Sequence, residues 1–119
     1  MSGSSLASSF PAMSSEDVPE LGCLLDRIRS AHAPVAILLY GSRARGDAGP
    51  DSDWDLKVVV ADDAPEELFE PTMWWSVQEH SGVHADVSYI RLSEFEADLT
   101  VANSAAREVM RDGILIQTR

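Results

Sequence analysis

Apolar and polar residues alternate in the middle of the chain as they do in β-strands. Residues 35–40 form a continuous apolar run, which predicts a strand buried on both faces. In residues 53–61 every second side chain is apolar, so the alternation predicts a strand with one apolar and one polar face. The polar face of this second strand carries Asp53, Asp55 and Lys57.

Two further strands are predicted closer to the C-terminus. Residues 83–90 alternate again, and Asp86 interrupts an otherwise apolar pattern there. If this strand lies beside the second one, Asp86 adds a carboxylate to the same cluster. A short final strand is predicted over residues 114–117.

Apolar residues at helical spacing predict helices on both sides of these strands. The first helix would be capped by Ser15. Its apolar stripe consists of Leu21, Leu24, Leu25 and Ile28. A second helix is predicted over residues 66–80, with an interruption at Pro71. Further helices are predicted after a cap at Ser93 and over residues 105–111.

The length of the chain predicts one domain with a tail in front of it. Its 119 residues are enough for a single hydrophobic core, and 45% of them are hydrophobic. Residues 1–15 contain seven serines and no charge, so we expect a disordered tail followed by one domain over residues 16–119. The succession of strands and helices predicts the α+β class, with a small mixed β-sheet flanked by helices.

The chain is strongly acidic, with 20 acidic and 9 basic residues and a net charge of −11. A surface of this charge repels nucleic acid and anionic membranes, so neither is expected as a partner. A phosphate ligand would therefore need a local basic site or a metal cation. No apolar run approaches the roughly 20 residues of a membrane span. The single cysteine and the absence of a signal-peptide pattern lead us to expect a cytoplasmic protein.

The first predicted strand leads into a turn that can bind an anion. Gly41 and Ser42 follow the strand directly, and Arg43 and Arg45 come next. Glycine allows the backbone to approach a phosphate closely, while backbone N–H groups and the serine hydroxyl donate hydrogen bonds. The two arginines would supply local positive charge. Alternatively they pair with the aspartates of the following loop, and the two roles are compatible.

The polar face of the second strand suggests a metal site. Asp53 and Asp55 are two residues apart, so both carboxylates project from one face. Carboxylates that close repel each other unless a cation lies between them. Their oxygen atoms suit Mg²⁺, and Asp86 is the candidate third ligand. Three acids can hold two magnesium ions that bridge a nucleoside triphosphate.

Each of these residues also has a simpler interpretation. Asp53 and Asp55 could belong to an exposed edge strand, and Asp86 could be an ordinary solvent-facing residue. Lys57 could reach a phosphate or neutralise a neighbouring carboxylate. Of the two adjacent tryptophans in the second predicted helix, one is expected in the core and the other on the surface, against a partner or a base.

Taken together, these residues resemble the signature of a known superfamily. A Gly-Ser pair, ten residues and then Asp-x-Asp are similar to the motif of the DNA polymerase β-like nucleotidyltransferases. The resemblance covers residues 35–90 closely and the remainder by element order. The match to the minimal nucleotidyltransferase branch consists of Gly41, Ser42, Ala44, Arg45, Gly46, Ser52, Asp53, Asp55 and Leu56.

This resemblance implies a fold, an activity and roles for individual residues. The fold would be the polymerase β-like nucleotidyltransferase fold. The reaction would move NMP, with AMP expected, from an NTP to an acceptor hydroxyl and release pyrophosphate, with two Mg²⁺ ions as cofactors. The acids would bind the metal, and Asp86 would also help to deprotonate the acceptor. The full set of expected site residues is Asp53, Asp55 and Asp86 for catalysis and metal, and Gly41, Ser42, Arg43, Arg45 and Lys57 for the nucleotide.

The resemblance also implies a partner. The minimal branch is often paired with a helical HEPN-type protein, as antitoxin to its toxin, and some members transfer AMP to that partner. Few residues follow the nucleotide core, so the acceptor site is expected from such a partner or from a second copy of this chain. The alternative is a catalytically silent binding module that neutralises or docks onto a partner protein. The presence of all three acids argues against that loss of activity.

Overall fold

A single mixed sheet forms the centre of the computed structural model, which describes residues 10–49, 52–100 and 111–117. Its order is β1-β5-β2-β3-β4. The strands are β1 (Ala12–Ser14), β2 (Ala36–Tyr40), β3 (Trp54–Val60), β4 (Ala85–Arg91) and β5 (Ile114–Gln117). β2 is antiparallel to both of its neighbours, whereas β1 with β5 and β3 with β4 are parallel pairs.

Helices flank this sheet in the described segments. The α-helices are α1 (Gly22–His32), α2 (Ser42–Arg45), α3 (Pro71–Gln78) and α4 (Leu92–Asp98). Short 3₁₀ helices are formed by Ser15–Asp17, Pro19–Leu21 and Glu66–Phe69. None of the helices in these segments is long and apolar enough to cross a bilayer. The mixed sheet with flanking helices confirms the predicted α+β class.

The predicted apolar stripe of the first helix is confirmed, because its four members have no exposed surface. They are Leu21, Leu24, Leu25 and Ile28. The helix ends at His32, where Ala33 turns into the left-handed region with a φ of 45°. Arg27 then ties this helix to α3, since its guanidinium donates to the carbonyls of Val77, Glu79 and His80 at the end of α3.

The sheet buries two separate groups of side chains, one on each face. The larger core lies between the sheet and helices α1 and α3. It takes from the sheet Ile37, Leu39, Trp54, Leu56, Val58, Val60, Val87, Tyr89 and Ile116. The smaller core on the other face consists of Phe10, Ala36, Leu38, Val59, Phe95 and Leu115. Strand alternation places Lys57 and Asp55 on this second face as well, and Lys57 lies opposite Leu38 of the smaller core.

The last part of the predicted disordered tail is ordered, so the expected boundary at residue 16 is wrong. Phe10 is 5% exposed, and its ring stacks on Phe95 with the centroids 6.3 Å apart. Ala12–Ser14 forms the edge strand β1, which pairs in parallel with β5. A strand of three residues is too short to show a periodic pattern, and its serine-rich surroundings conceal it. Residues 1–9 lie outside the described residues.

The first cap also differs from the prediction by one position. Ser14, not Ser15, caps the first 3₁₀ helix, because its hydroxyl accepts a hydrogen bond from the N–H of Glu16. The carboxylate of Asp17 in turn accepts the N–H of Ser14, which completes a reciprocal capping box.

The later helices follow the predicted positions with one correction. The interruption at Pro71 is confirmed, since α3 begins there after a separate 3₁₀ helix. α4 has Arg91 rather than Ser93 as its N-cap residue, and the Ser93 N–H donates to Oδ1 of Asp62 at 2.9 Å. The helix predicted over residues 105–111 lies almost wholly outside the described residues.

The two adjacent tryptophans of α3 have different surroundings, as predicted. Trp74 packs against the larger core, and its Nε1 donates to the carbonyl of Leu68 at 2.7 Å. Trp75 is 63% exposed. A rotation of about 100° between consecutive helical residues separates the two side chains.

Candidate active site

The end of β2, the start of β3 and the start of β4 lie together at one end of the sheet. Asp55 lies opposite Tyr40 in β2 and opposite Asp86 in the parallel strand β4. Residues paired in this way project from the same face of a pleated sheet. The structure therefore places the carboxylates of Asp55 and Asp86 side by side, on the face that carries the smaller core.

Asp53 adds a third negative charge to this face. It directly precedes β3 and is exposed, two residues before Asp55. The pKa of Asp55 is raised by its partial burial and then by the negative charges of Asp86 and Asp53, while the positive charge of Arg45 acts in the opposite direction. The carboxylates are thus close enough to repel one another, and a bound cation would remove that cost. We refer to Asp53, Asp55 and Asp86 as the carboxylate cluster.

The side chains of the carboxylate cluster are not arranged as a preformed metal site. Within residues 10–49, 52–100 and 111–117 no three His, Cys, Asp or Glu side chains are grouped tightly enough to hold a metal ion. Asp53 and Asp86 are exposed, however, and exposed side chains change rotamer readily. The oxygen donors are of the type that Mg²⁺ prefers. The residues fit a hard divalent cation in chemistry, and closing around it requires side-chain movement.

Gly41 is required by the position of Asp55. Its φ is +76°, in the region that favours glycine. A Cβ at this position would collide with Oδ2 of the Asp55 side chain. The backbone conformation therefore favours glycine, and a Cβ at this position would force the Asp55 carboxylate to move. The sequence suggested that glycine lets a phosphate approach, and the structure adds that it lets the carboxylate approach.

Ser42 opens the short helix α2 beside this glycine. Its carbonyl accepts hydrogen bonds from the N–H groups of Gly46 and Asp47, at 3.0 and 3.2 Å. These bonds hold the turn closed, and Gly46 ends it with a φ of +86°. The Ser42 side chain is half-buried and makes no hydrogen bond to any described residue, so its hydroxyl can serve a ligand.

Arg43 points away from the carboxylate cluster. Its Nε and Nη2 donate to the carbonyl of Ser52, at 3.2 and 2.7 Å. Its guanidinium also lies 4.3 Å from the centre of the Trp54 ring, which belongs to the larger core on the opposite face. Arg43 thus fastens the loop before β3. The predicted contact between Arg43 and a phosphate stays a prediction.

Arg45 pairs with acids on two segments. Its Nε lies 3.2 Å from Oδ2 of Asp47, and its Nη1 lies 3.0 Å from Oδ2 of Asp112. These hydrogen bonds, with the two negative charges, raise the pKa of Arg45. The alternative that the arginines pair with a loop aspartate is thereby confirmed for Arg45. Its charge also reaches Asp55, where it partly offsets the rise in the pKa of that carboxyl.

Lys57 lies on the same face as the carboxylate cluster, opposite Ser88 in β4. Its side chain is half-buried. Burial lowers the pKa of Lys57, and the negative charges of Asp86 and Asp98 act in the opposite direction. The lysine makes no hydrogen bond and no ion pair within 4.0 Å in the described part of the chain.

Sequence reasoning missed two acids near this site, Asp98 and Asp112. Asp112 is far from Arg45 in sequence, so no local pattern signals their ion pair. Asp98 had a weak signal, because it ends α4 and a negative charge in the last turn opposes the helix dipole. An acid in that position is a reason to look for a nearby cation, here Lys57.

Comparison with known families agrees with this geometry. The family described as "Polymerase beta, Nucleotidyltransferase" matches residues 24–119. Because this match covers most of the chain, the protein belongs to that family, and the predicted superfamily and fold are confirmed. No curated protein matches the chain. Membership of the minimal nucleotidyltransferase branch stays a prediction.

Proposed function

We propose that this protein is a metal-dependent nucleotidyltransferase that moves NMP, AMP first among the candidates, from an NTP to an acceptor hydroxyl. The observation that carries the proposal is the pairing of Asp55 with Asp86 on neighbouring strands, next to the turn at Gly41. Family membership gives the class of reaction. The carboxylate cluster supplies the acidic groups which that reaction uses.

The carboxylate cluster would hold the metal, through Asp53, Asp55 and Asp86. Bound Mg²⁺ ions would offset the charge of the triphosphate and polarise the reacting oxygen atoms. Asp55 is the central ligand, because it lies between the other two acids and is the most buried of the three. The repulsion within the cluster favours any ligand that brings positive charge.

The turn at Gly41 would hold the nucleotide phosphates. The hydroxyl of Ser42 is a donor without a partner among the described residues. Lys57 contributes positive charge from the sheet. Arg45 contributes positive charge at longer range. To reach a phosphate it would release Asp47, which is the more exposed of its two ion-pair partners. Arg43 would act indirectly, by fixing the loop that leads to Asp53.

Asp86 is the best candidate to accept the proton of the acceptor hydroxyl. It is exposed at the edge strand of the sheet, where an acceptor can approach from solvent. Holding the hydroxyl oxygen close to the phosphorus and in line with the leaving pyrophosphate would supply much of the rate enhancement.

The acceptor would come from another protein molecule. We propose a helical HEPN-like partner, with this chain as its antitoxin, or else a second copy of this chain. The exposure of Asp53 and Asp86 supports an acceptor that arrives from outside. Nucleic acid is not proposed as acceptor, because the net charge of −11 repels it.

Transfer of label from α-³²P-labelled ATP tests this function. We expect Mg²⁺-dependent labelling of a co-purified partner or of the chain itself, and loss of that labelling with EDTA or with Asp53→Asn/Asp55→Asn. The matched control is Asp26→Asn, an exposed acid on α1, across the sheet from the site. Labelling that survives the double substitution would overturn the mechanism. Tight binding of a partner without labelling would favour the silent binding module.

A further inference from the structure

Lys57 has an unusual position on the strand that carries the carboxylate cluster. It is the single lysine of the chain, and it lies between the cluster and the smaller core on one face of β3. Its side chain is half-buried and contacts no carboxylate within 4.0 Å among the residues described. A lysine in a structural ion pair would touch its partner, and Lys57 does not. Its ammonium group is not buried without a partner, since no such side-chain atom occurs among the described residues, so it is free to act on a ligand of the carboxylate cluster.

The negative charges around Lys57 come from two elements. Ser88 of β4 is the direct neighbour of Lys57, and Asp86 lies two residues before it in the same strand. Asp98 lies at the end of α4. Coulomb interactions decay slowly with distance, whereas hydrogen bonds need contact. An ammonium group at this separation therefore reduces the negative potential of the carboxylate cluster without occupying its oxygen atoms. The oxygen atoms remain available as ligands.

We propose that Lys57 is a positioning residue that makes the binding of a divalent cation at the carboxylate cluster depend on the nucleotide. This inference rests on the proposed function. The fixed positive charge repels a bare divalent cation but attracts the triphosphate of a cation–nucleotide complex. Lys57 thereby opposes loading of the empty site and favours joint entry of cation and nucleotide. A lysine with a merely structural role would not shift these two affinities in opposite directions.

Binding of Mn²⁺, followed by electron paramagnetic resonance without nucleotide, tests the first half of the proposal. We expect Lys57→Met to bind Mn²⁺ about ten-fold more tightly than the wild type, because one like charge is removed from near the cluster. Lys57→Arg keeps the charge and should bind Mn²⁺ like the wild type. Arg29→Met is the matched control, since it removes one positive charge from α1 on the opposite face.

Calorimetry with Mg²⁺ and a non-hydrolysable ATP analogue tests the second half. Here we expect Lys57→Met to bind about ten-fold more weakly, since an attractive charge is lost. Lys57→Gln serves as a second neutral variant if the Met variant does not fold. Equal Mn²⁺ affinity in the wild type and the neutral variants, or a change of both affinities in the same direction, would overturn the inference.

Failure of this inference is distinguishable from failure of the proposed function. Unchanged Mn²⁺ affinity in Lys57→Met, with label transfer intact in the wild type, overturns the role of Lys57 alone. Tighter Mn²⁺ binding in Lys57→Met, with no label transfer in the wild type, supports the charge effect and overturns the proposed reaction. If Asp53→Asn/Asp55→Asn binds Mn²⁺ as tightly as the wild type, the cation lies elsewhere and the inference falls.

Discussion

The two faces of β3 differ in what they contribute to the protein. On one face Leu56 and Val58 have no exposed surface and pack beneath α1 and α3. On the other face Asp55 and Lys57, at the alternating positions, are half-buried and charged. The apolar face lowers the free energy of the folded state, whereas the acids of the other face repel one another. Alternate residues of one strand thus serve the stability of the fold and the chemistry of the site. Substitutions on the apolar face should mainly reduce stability, and substitutions on the charged face should mainly reduce activity.

The largest expected effect is on activity, from the charged face. Asp55→Asn should lower the rate of nucleotidyl transfer by about 1,000-fold, because the central metal ligand is lost. The same change relieves repulsion within the carboxylate cluster, so thermal stability should be unchanged or slightly higher. Label transfer and thermal unfolding measured on one preparation test both statements. If the variant unfolds at a lower temperature than the wild type, Asp55 supports the fold, and the proposed difference between the two faces of β3 is wrong.

The apolar face should respond in the reverse way. Leu56→Ala should reduce the free energy of unfolding by about 3 kcal/mol, because it leaves a cavity at a fully buried position. Activity per folded molecule should stay close to that of the wild type at low temperature. Urea denaturation gives the stability. A severe loss of activity in molecules shown to be folded would contradict the separation of the two faces.

Gly41 tests the contact between the turn and the charged face. Gly41→Ala should lower activity by about 100-fold, because the added Cβ displaces the Asp55 carboxylate, and should destabilise the fold by about 1–2 kcal/mol. Gly82→Ala is the matched control, since Gly82 has a φ of +91° but nothing within 4 Å of its Cβ position. It should show the loss of stability alone. Equal activities in the two variants would refute the role of the contact.

The pH dependence of stability sharpens the comparison further. Because the folded-state pKa of Asp55 is raised by burial and by Asp86 and Asp53, the folded protein holds this proton more tightly than the unfolded chain. The resulting stabilisation is fully present below the unfolded-state pKa and is lost as the pH rises through the folded-state pKa. Asp55→Asn should therefore lose less stability than the wild type between acidic and neutral pH. Parallel denaturation curves at several pH values provide the measurement, and identical pH profiles would contradict the shift.

The smallest effect should come from the ion pair between Arg45 and Asp112. Asp112→Asn should lower the midpoint of urea denaturation only slightly, since Arg45 is 46% exposed and retains Asp47 as a partner. The difference from the wild type should decrease with added salt. A loss of several kcal/mol in urea denaturation would show that this pair anchors the C-terminal strand.

Much of this arrangement could be predicted from the sequence, because the residues concerned have local patterns. The alternation in residues 53–61 and the helical stripe that ends at Ile28 report burial directly, so these patterns predict β3 and α1. The shared face of Asp53 and Asp55 follows from strand geometry. Their proximity to Asp86 needed only the assumption that two strands are neighbours.

Other features depend on contacts that no local pattern records. The edge strand Ala12–Ser14 is defined by its pairing with β5, which lies at the other end of the chain. The direction of Arg43 depends on the carbonyl of Ser52 and the ring of Trp54, not on its position in the motif. The collision that makes Gly41 necessary involves a side chain on another strand. In each case tertiary packing, not propensity, decides the outcome.

The order of the strands has a consequence for biosynthesis. β5 lies between β1 and β2, so Ala12–Ser14 has its pairing partner in Ile114–Gln117. While the ribosome is still making the middle of the protein, β1 and one edge of β2 have no neighbour on that side. The nascent chain therefore cannot close its sheet until residues 114–117 have been translated. Until β5 has left the ribosome, this unpaired edge is open to pairing with another chain.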